Sequence, residues 1–495
     1  MIDKLSWIST YPEIVLLVMA CVIALLDLTV TSARRTATYV LTLVALGVVA
    51  LLEGMYAHGG HTVYGFGNMV VSDPMGNWLN CFVTIAMMVT LVYGRPYGAD
   101  RGMMRGGELF TLSMFSVLGM TIMISGNNFL VIYLGLELLM LTSYALVALR
   151  RDHVVATEAA MKYFVLSALA SGFLLYGLSM IYGATGSLDL GEVFKAVNSG
   201  HLRHQVLVFG LVFIVTGLGF KLGAVPFHMW LPDVYEGAPT VVSLIVAGAP
   251  KLSAFAICIR LLVEGLVPLA IDWQQMLAIL AIGSLFIGNV VAIAQTNLKR
   301  MLGYSTISQM GFVILGLMSG VVNGNTLSAA NAYSSAMFYS VTYVLTTLSA
   351  FGIILLLARE GFESEEISDL AGLNRISPLY AGVMAVSMFS FAGIPPLMGF
   401  YAKLSVLQAL ISSGSPWYIA LAVFAVIMAL IGAFYYLRVI KVMYFDAPIT
   451  AATVSAPFDV RIVLSLNGAL VLILGILPGG LMALCARSIV ATLGG

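Results

Sequence analysis

The sequence has few charged residues, which excludes an ordinary water-soluble protein. Only 9% of its 495 residues are Asp, Glu, Lys or Arg, whereas 60% are hydrophobic. A soluble domain has about 25% charged residues, so this chain is better divided into membrane spans of about 20 residues each. The formal net charge of zero gives no indication of a nucleic-acid partner.

The sequence also lacks the patterns that hold redox centres or metals. Its cysteines are isolated, no Cys-x-x-Cys occurs, and its 6 histidines are scattered, which argues against an iron–sulfur, zinc or haem site in this chain. A cleaved signal peptide is not expected, because residues 1–13 lack a basic n-region and no Ala-x-Ala site follows. The 4 cysteines are Cys21, Cys81, Cys258 and Cys485.

Apolar runs separated by polar breaks predict an all-α integral membrane protein with 14 transmembrane helices. Helices are expected because lipid offers the backbone no hydrogen-bond partner, and runs much longer than about 25 residues should tilt or break. The approximate limits are 11–31, 37–55, 75–95, 108–125, 128–149, 156–183, 206–231, 240–264, 271–295, 300–320, 328–358, 376–411, 417–445 and 460–490.

Lysine and arginine are unequally divided between the two ends of these spans, 14 against 5. By the positive-inside rule the richer side faces the cytoplasm, and both termini then lie on the opposite, periplasmic side. The richer side holds Arg34, Arg35, Arg95, Arg101, Arg105, Arg150, Arg151, Lys299, Arg300, Arg359, Arg375, Arg438, Lys441 and Arg461. The poorer side holds Lys4, Lys195, Arg203, Arg260 and Arg487.

The remaining cations are four lysines inside apolar runs, Lys162, Lys221, Lys251 and Lys403, and one carboxylate, Glu137, lies near a span centre. Charges at membrane depth usually face a protein interior or a water-filled cavity. A desolvated lysine releases its proton more readily than one in water, whereas a buried arginine keeps its proton. Four lysines without an arginine therefore favour a proton relay over static ion pairs.

Two of these features also have ordinary structural interpretations. Lys162 follows Glu158 by four residues near the cytoplasmic end of its span, so a local ion pair with a snorkelling side chain would explain it. The acidic segment 361–369 is most simply a solvated turn, although it could contact a partner subunit.

Prolines interrupt two spans beside the buried lysines. Pro226 follows Lys221 by five residues, and Pro395 and Pro396 precede Lys403. Proline removes a backbone donor and kinks a helix, and freed backbone at membrane depth is tolerated where it lines a polar cavity. We therefore predict a broken helix at each position and a transport site between them.

Polar side chains between these positions could carry waters of a half-channel. The structural alternative is helix–helix hydrogen bonding by small polar residues. The candidates are His228, Tyr304, Ser305, Thr306, Ser308 and Gln309.

Four segments resemble the antiporter-like membrane subunits of respiratory complex I, an NADH:quinone oxidoreductase. They are FKLGAVPFHMWLPDVYEGAPT (220–240), APKLSAF (249–255), NLKRMLGYSTISQMGF (297–312) and AGIPPLMGFYAKL (392–404). Together with YLGLELL around Glu137, they occur in order over residues 105–445. The VYEGAP ending, the lysine at 403 and the 14 spans resemble the branch called subunit N.

The resemblance implies two inverted five-helix repeats with broken helices. The corresponding division is 1–105 (helices 1–3), 106–265 (first repeat), 266–446 (second repeat) and 447–495 (helix 14). It implies that Glu137 and Lys221 form a coupled pair, that Lys251 is a central relay, and that Lys403 is an exit-side proton site. It also supports a role in proton transfer for Lys162.

The resemblance also implies the setting. Flavin, iron–sulfur clusters and quinone would belong to partner subunits, with no cofactor in this chain. Expected partners are other membrane-arm subunits, including the paralogous subunit M, together with membrane lipid and protons, in a bacterial inner membrane. The main alternative is an Mrp-type subunit that exchanges Na⁺ or K⁺ for H⁺ without redox coupling. A scaffold that pumps nothing would leave the buried lysines unexplained.

Overall fold

Helices dominate the fold. The computed structural model describes residues 4–322, 325–358, 362–448 and 456–494, so that Arg359, Gly361 and the extreme termini lie outside the described residues. A small antiparallel hairpin, β1 (Val63–Gly65) and β2 (Val70–Ser72), follows the third helix. The helices are α1 (Lys4–Ser9), α2 (Tyr11–Asp27), α3 (Thr36–Gly59), α4 (Pro74–Asp100), α5 (Glu108–Ser125), α6 (Phe129–Val147), α7 (Val154–Thr185), α8 (Leu190–Asn198), α9 (His204–Leu222), α10 (Trp230–Gly237), α11 (Thr240–Ala247), α12 (Pro250–Cys258), α13 (Ala270–Ile293), α14 (Leu298–Met318), α15 (Ala329–Leu357), α16 (Leu373–Ile376), α17 (Pro378–Ala392), α18 (Met398–Ser412), α19 (Pro416–Phe445), α20 (Phe458–Ile476) and α21 (Gly479–Leu493).

The described residues contain 12 helical segments long and apolar enough to cross a membrane. The all-α membrane fold is therefore confirmed, while the count of 14 spans stays a prediction. One of the 12 segments, Thr240–Gly265, is buried apart from Glu264 and joins α11, α12 and a π-helical turn, Ile259–Gly265. Two shorter apolar helices, α17 and α21, add to the bundle.

Both proline-containing runs are broken as predicted. Residues 223–229 separate α9 from α10, and residues 393–397 separate α17 from α18. Each break begins with a glycine, Gly223 and Gly393, at a φ of 82°, a left-handed conformation that ends a helix at little cost only for glycine. The last predicted run, 460–490, is also two helices, because α20 ends before Pro478 and α21 follows it.

Close helix crossings are built on glycines. α13 packs along α14, and a Cβ placed on Gly288 would lie 2.7 Å from the backbone nitrogen of Ser308 and 2.9 Å from the backbone oxygen of Tyr304. α5 and α6 cross in the same way, because a Cβ on Gly119 would lie 2.6 Å from the backbone nitrogen of Leu139. Small residues allow helix backbones to approach closely where lipid supplies no hydrophobic driving force.

Arg260, which the sequence analysis assigned to the poorer loop side, is 1% exposed. Its guanidinium lies 2.5 Å from Asp73 and 2.7 Å from Glu264, and the Thr492 hydroxyl donates to Asp73 over 2.6 Å. An arginine near a span end is ordinarily solvated, but the start of α4 and the end of α21 close around this one. Counting charges at span ends does not show whether a side chain there is packed inside the bundle.

Lys299 is buried as well, at 1% exposure. Its Nζ lies 2.6 Å from an oxygen of Glu365 and donates to the Ala238 backbone oxygen over 3.0 Å. The acidic segment is therefore folded against the helix ends, at least over its described part, which begins at residue 362. Glu363 makes a second set of contacts there.

Glu363 binds two arginines and a tyrosine of neighbouring helix ends. Arg101 lies 2.8 Å and Arg150 3.1 Å from its carboxylate, and the Tyr97 hydroxyl donates to it over 2.9 Å. Burial alone would raise the pKa of Glu363, but the bonds from Arg101 and Tyr97 and the charge of Arg150 hold that pKa below its ordinary value. The segment thus acts as an internal clasp between the loops after α4, α6 and α15.

We expect Gly288→Ala to destabilise the protein by about 1–3 kcal/mol, because the added methyl group meets backbone atoms that cannot move independently. Thermal unfolding of the purified protein in nanodiscs measures this. Gly382→Ala is the matched control, because it also lies inside a helix and nothing lies within 4 Å of its added Cβ. Equal stability of the two variants would contradict the tight crossing.

The clasp predicts a pH dependence of stability. The folded-state pKa of Glu363 is lowered, so its contribution is present above the unfolded pKa of about 4.3 and is lost as pH falls through the folded value. Relative to wild type, Glu363→Gln should be less stable at neutral pH, and the difference should shrink on acidification below about pH 4.3. Unfolding midpoints across pH measure this, with the exposed Glu192→Gln as control. A pH-independent difference would contradict the ionised clasp.

Candidate functional site

Glu137 and Lys221 lie on neighbouring helices without a direct ion pair in the described structure. Lys221, 7% exposed, is in the last turn of α9, and its Nζ donates to the Met140 sulfur over 3.2 Å. Met140 follows Glu137 by three residues, so the two share one face of α6. Glu137 is half-buried and accepts a hydrogen bond from Ser171 on α7. The pair is therefore close, and its charges are separated by about a helical turn of α6.

Lys251 lies beside the broken end of α9. This lysine, 1% exposed on α12, donates to the backbone oxygen of Leu222 over 3.1 Å. Leu222 is the last residue of α9 and follows Lys221 directly, so the two lysines approach the same helix end from different elements. The Lys251 Nζ also lies 5.5 Å from the Trp230 ring, a distance at which a cation is attracted to the aromatic face.

An aromatic stack closes the side of this helix break. Trp230, the first residue of α10, lies between Tyr163 at 4.8 Å and Phe220 at 5.4 Å, ring centroid to ring centroid. Its indole nitrogen donates to the Phe220 backbone oxygen over 3.1 Å, so the first turn of α10 is tied back to the last turn of α9. The break is therefore a fixed structure rather than a loose loop.

Lys403 contacts the second broken helix in the same manner. Its Nζ, on α18, donates to the backbone oxygens of Phe391 over 2.8 Å and of Ala392 over 3.0 Å. These are the last two residues of α17. The amine also lies 5.3 Å from the Phe312 ring, and the whole side chain is 8% exposed.

The two breaks thus share one arrangement, in which a lysine from another helix binds carbonyls that a helix end leaves unpaired. The last carbonyls of a helix have no partner within it, and they carry a partial negative charge that favours a cation. Lys251 occupies this position at α9 and Lys403 at α17. The sequence suggested a repeat only weakly, because Lys221 and Lys403 stand at different distances from their prolines; in the structure Lys251, not Lys221, corresponds to Lys403.

A hydrogen-bonded cluster extends from the second break into the bundle. Gln309 on α14 donates to the Phe391 oxygen over 3.1 Å and to the Tyr436 hydroxyl over 2.9 Å, and it accepts a bond from Tyr339. Ser305 lies 2.5 Å from the same Tyr436 hydroxyl. The Phe391 oxygen also binds Lys403, so the cluster touches the lysine through one shared acceptor.

A second contact continues from α14 toward α15 and the first half of the chain. Thr306 lies 2.8 Å from the Tyr343 hydroxyl, and both side chains are buried. The Tyr235 hydroxyl, on α10 seven residues after His228, is buried and has no hydrogen-bond partner among the described residues. It lies within electrostatic reach of Tyr343. Hydroxyl groups therefore line the space between the two breaks.

Three of the predicted polar residues lie outside this cluster. His228 is in the first break, half-buried, with its Nδ1 buried and lacking a hydrogen-bond partner among the described residues. The Arg300 guanidinium lies 6.0 Å from the centre of the Tyr304 ring. Ser308 lies at the crossing with α13 described above. Of the predicted polar residues, Ser305, Thr306 and Gln309 are the ones that the structure brings together.

Lys162 lies apart from the buried lysines. Its side chain is 46% exposed and forms ion pairs with Glu158 at 2.9 Å and Asp233 at 3.0 Å. Asp233 also binds Arg300 at 2.8 Å, and these contacts hold the pKa of Asp233 below its ordinary value although its partial burial acts in the opposite direction. The local pair weighed as a structural explanation for Lys162 is present.

Some buried polar residues were missed in the sequence. Tyr339, Tyr343 and Tyr436 lie in long apolar runs, where a tyrosine is ordinarily read as core. Glu13 and Glu53 lie near span ends, where a carboxylate is ordinarily solvated, although Glu53 is 1% exposed. A signal for the two glutamates was their position inside the predicted runs 11–31 and 37–55.

The arrangement can hold and move protons. Lys221, Lys251 and Lys403 are each bonded to a neutral partner, a thioether sulfur or a backbone oxygen. Such an amine can gain or lose a proton without breaking an ion pair. Among the described residues, no group of three or more His, Cys, Asp or Glu side chains is placed to bind a metal ion.

The chain matches one family model over residues 126–429, described as "NADH:quinone oxidoreductase/Mrp antiporter, TM". A protein of Polaromonas naphthalenivorans named "NADH-quinone oxidoreductase subunit N" is 74% identical over 99% of this chain and 98% of its own length. A protein of the same name from Herminiimonas arsenicoxydans is 60% identical over 99% of both chains.

Solved structures with a similar fold include respiratory complex I of Thermus thermophilus with bound aureothin. One of its chains is 30% identical, with a TM-score of 0.79, over 96% of this chain and 99% of that one. A chain of the Mrp complex from a Dietzia species has a TM-score of 0.84 over 99% of this chain and 97% of that one. At 18% identity, the second likeness shows the fold alone.

Proposed function

Because the chain belongs to the NADH:quinone oxidoreductase/Mrp antiporter membrane family, we propose that it moves protons through Glu137, Lys221, Lys251 and Lys403 as a membrane subunit of an NADH:quinone oxidoreductase. The resemblance read from its motifs is confirmed by relatives named subunit N that match it over nearly their whole length. The reaction of the complex is proton-translocating NADH oxidation by a quinone. This chain contributes the proton transfer.

The redox complex is favoured over an Mrp-type antiporter. The relatives that match this chain at high identity carry the name of the oxidoreductase subunit, whereas the Mrp likeness is one of fold. Fold alone does not carry function. Flavin, iron–sulfur clusters and quinone belong to partner subunits in this proposal, as does subunit M beside this one in the membrane arm.

The observation that carries the site assignment is the set of neutral partners around the three buried lysines. An ammonium group in an ion pair is stabilised by its partner, but the Met140 sulfur and the helix-end carbonyls bind without fixing the charge. Glu137, one turn away from Met140, supplies a negative charge that acts on Lys221 at a distance. A change in that distance alters the proton affinity of Lys221.

The proton path runs from Glu137 and Lys221 to Lys251 along the broken end of α9. From Lys251 it continues past Tyr235, Tyr343 and Thr306 to the Gln309 cluster, and then to Lys403. Hydroxyl and amide groups relay protons together with the waters they bind. Lys162, paired at the surface with Glu158 and Asp233, serves as an entrance residue in this scheme.

The paired breaks support the division into two repeats, 106–265 and 266–446. α5 crosses α6 and α13 crosses α14 at a glycine, and each half contains one helix break capped by a lysine. The excess of Lys and Arg at one end of the spans supports an orientation with both termini on the periplasmic side of a bacterial inner membrane.

Lys221→Ala in the assembled complex should abolish most coupled proton pumping, with a fall in NADH-driven quinone reduction, because the path loses its first amine. Both rates are measured in sealed vesicles. Lys195→Ala is the control, since Lys195 is 71% exposed and pairs with Glu192 alone among the described residues. Unchanged pumping in Lys221→Ala would contradict the role of this lysine and leave the family assignment intact.

Two substitutions at Lys403 separate a proton site from a simple helix cap. Lys403→Gln keeps an amide donor for the α17 carbonyls but carries no proton, and Lys403→Arg keeps the charge but does not release its proton. Both variants should assemble and pump at least tenfold more slowly, which corresponds to about 1.4 kcal/mol in the barrier. Wild-type pumping in either assembled variant would mean that Lys403 only caps the α17 helix end.

The Mrp-type alternative has its own test. Sodium-dependent proton movement in the vesicles without NADH would indicate the antiporter.

A further inference from the structure

Two carboxylates outside the lysine chain are buried together in the N-terminal helices. Glu13 is in the first turn of α2 and is 8% exposed, and Glu53 is near the end of α3 and is 1% exposed. They lie close enough to interact electrostatically. Both precede residue 126, where the match to the family model begins.

Hydrogen bonds join the two carboxylates through α4 and α5. The Asn80 side-chain nitrogen donates to Glu53 Oε1 and to Ser125 Oγ, each over 3.3 Å. Ser125 Oγ in turn donates to Glu13 Oε1 over 2.7 Å. Four helices thus contribute one side chain each, and each carboxylate accepts one hydrogen bond from the cluster.

The groups that remain unmet in this cluster are all acceptors. Glu13 Oε2 and Asn80 Oδ1 are buried and have no hydrogen-bond partner among the described residues, and Asn80 itself is 1% exposed. A buried acceptor without a donor costs about 1–3 kcal/mol. These two oxygens therefore need a hydrogen-bond donor or a positive charge beside them.

No positively charged side chain supplies it. Among the described side chains, no lysine, arginine or histidine lies within ion-pair distance of Glu13 or Glu53, since neither forms one of the ion pairs found. The titratable groups that interact with them are Tyr56 and Cys81, whose side chains carry no positive charge. Two adjacent buried carboxylates cannot both stay ionised without a partner.

We infer that Glu13 and Glu53 hold one proton between them and form a proton-binding site separate from the lysine chain. A proton on Glu13 Oε2 turns an unmet acceptor into a donor and halves the buried negative charge. A metal ion fits less well, because Ca²⁺ or Mg²⁺ takes six or more oxygen ligands. Here two fully buried oxygens, Glu13 Oε2 and Asn80 Oδ1, lack a hydrogen-bond partner among the described residues.

The site has a short connection to a polar cavity. Ser125 ends α5, and Asn127, two residues later, lines a cavity of about 800 Å³ together with Asp73, Asp189 and Glu192. This cavity lies at the end of the bundle where α4 begins and α21 ends. The proton of the carboxylate pair can therefore exchange at that end without passing Lys221 or Lys403.

Infrared difference spectroscopy of the complex in membranes tests this site directly. Near neutral pH, wild type should show one protonated carboxyl band, shifted in D₂O. The band should shift in Glu13→Gln and in Glu53→Gln, because the remaining buried carboxyl keeps the proton with different hydrogen-bond partners, and the double variant should lack the band. Glu108→Gln, an exposed carboxylate at the other end of the bundle, should keep it.

Three outcomes would overturn the inference. One is the absence of such a band in wild type, and another is an unshifted band in both single variants. The third is a wild-type band that sodium chloride removes and choline chloride does not, because the site would then take a sodium ion. If Glu53→Gln does not assemble, Glu13→Gln decides alone, since Glu13 lies in the first turn of its helix. The result is independent of pumping and of the lysine path.

Discussion

The bond between a lysine amine and the free carbonyls of a broken helix is the interaction on which this structure depends. A helix end at membrane depth leaves carbonyls that lipid cannot satisfy. Lys251 and Lys403 satisfy them, each from a helix other than the broken one. In doing so they bring an ionisable group to the bundle interior, so that the contact that stabilises the break also holds the amine to which the proposed function assigns a proton.

The two halves of the chain differ within this common arrangement. If Gly223 and Gly393 are superposed, Lys221 in α9 corresponds to Phe391 in α17, so only the first break has a second lysine in its own helix. In the second half the polar role passes to Gln309 and the tyrosines around it. The first break therefore has two lysines, Lys221 and Lys251, whereas the second has one lysine, Lys403, and the hydrogen bonds around Gln309.

The sequence predicted the helices well because apolar runs and their polar breaks are local features. The predicted span 108–125 coincides with α5, and both proline breaks are present. The cluster around Gln309 could not be predicted in the same way, since Gln309 and Tyr436 are 127 residues apart and meet only through helix packing. The burial of Glu13 and Glu53 was missed for a related reason, because a carboxylate near a span end is ordinarily solvated.

The bonds around Asp73 have a consequence for how the chain is assembled during translation. Arg260, which neutralises Asp73, is 187 residues downstream, and the Thr492 hydroxyl that completes its shell is 419 residues downstream. As the ribosome feeds helices into the bilayer one after another, the carboxylate waits unpaired through most of synthesis. A chain that stalls before α12 exposes a charge near the membrane, which gives quality-control proteases a chemical mark of an unfinished product.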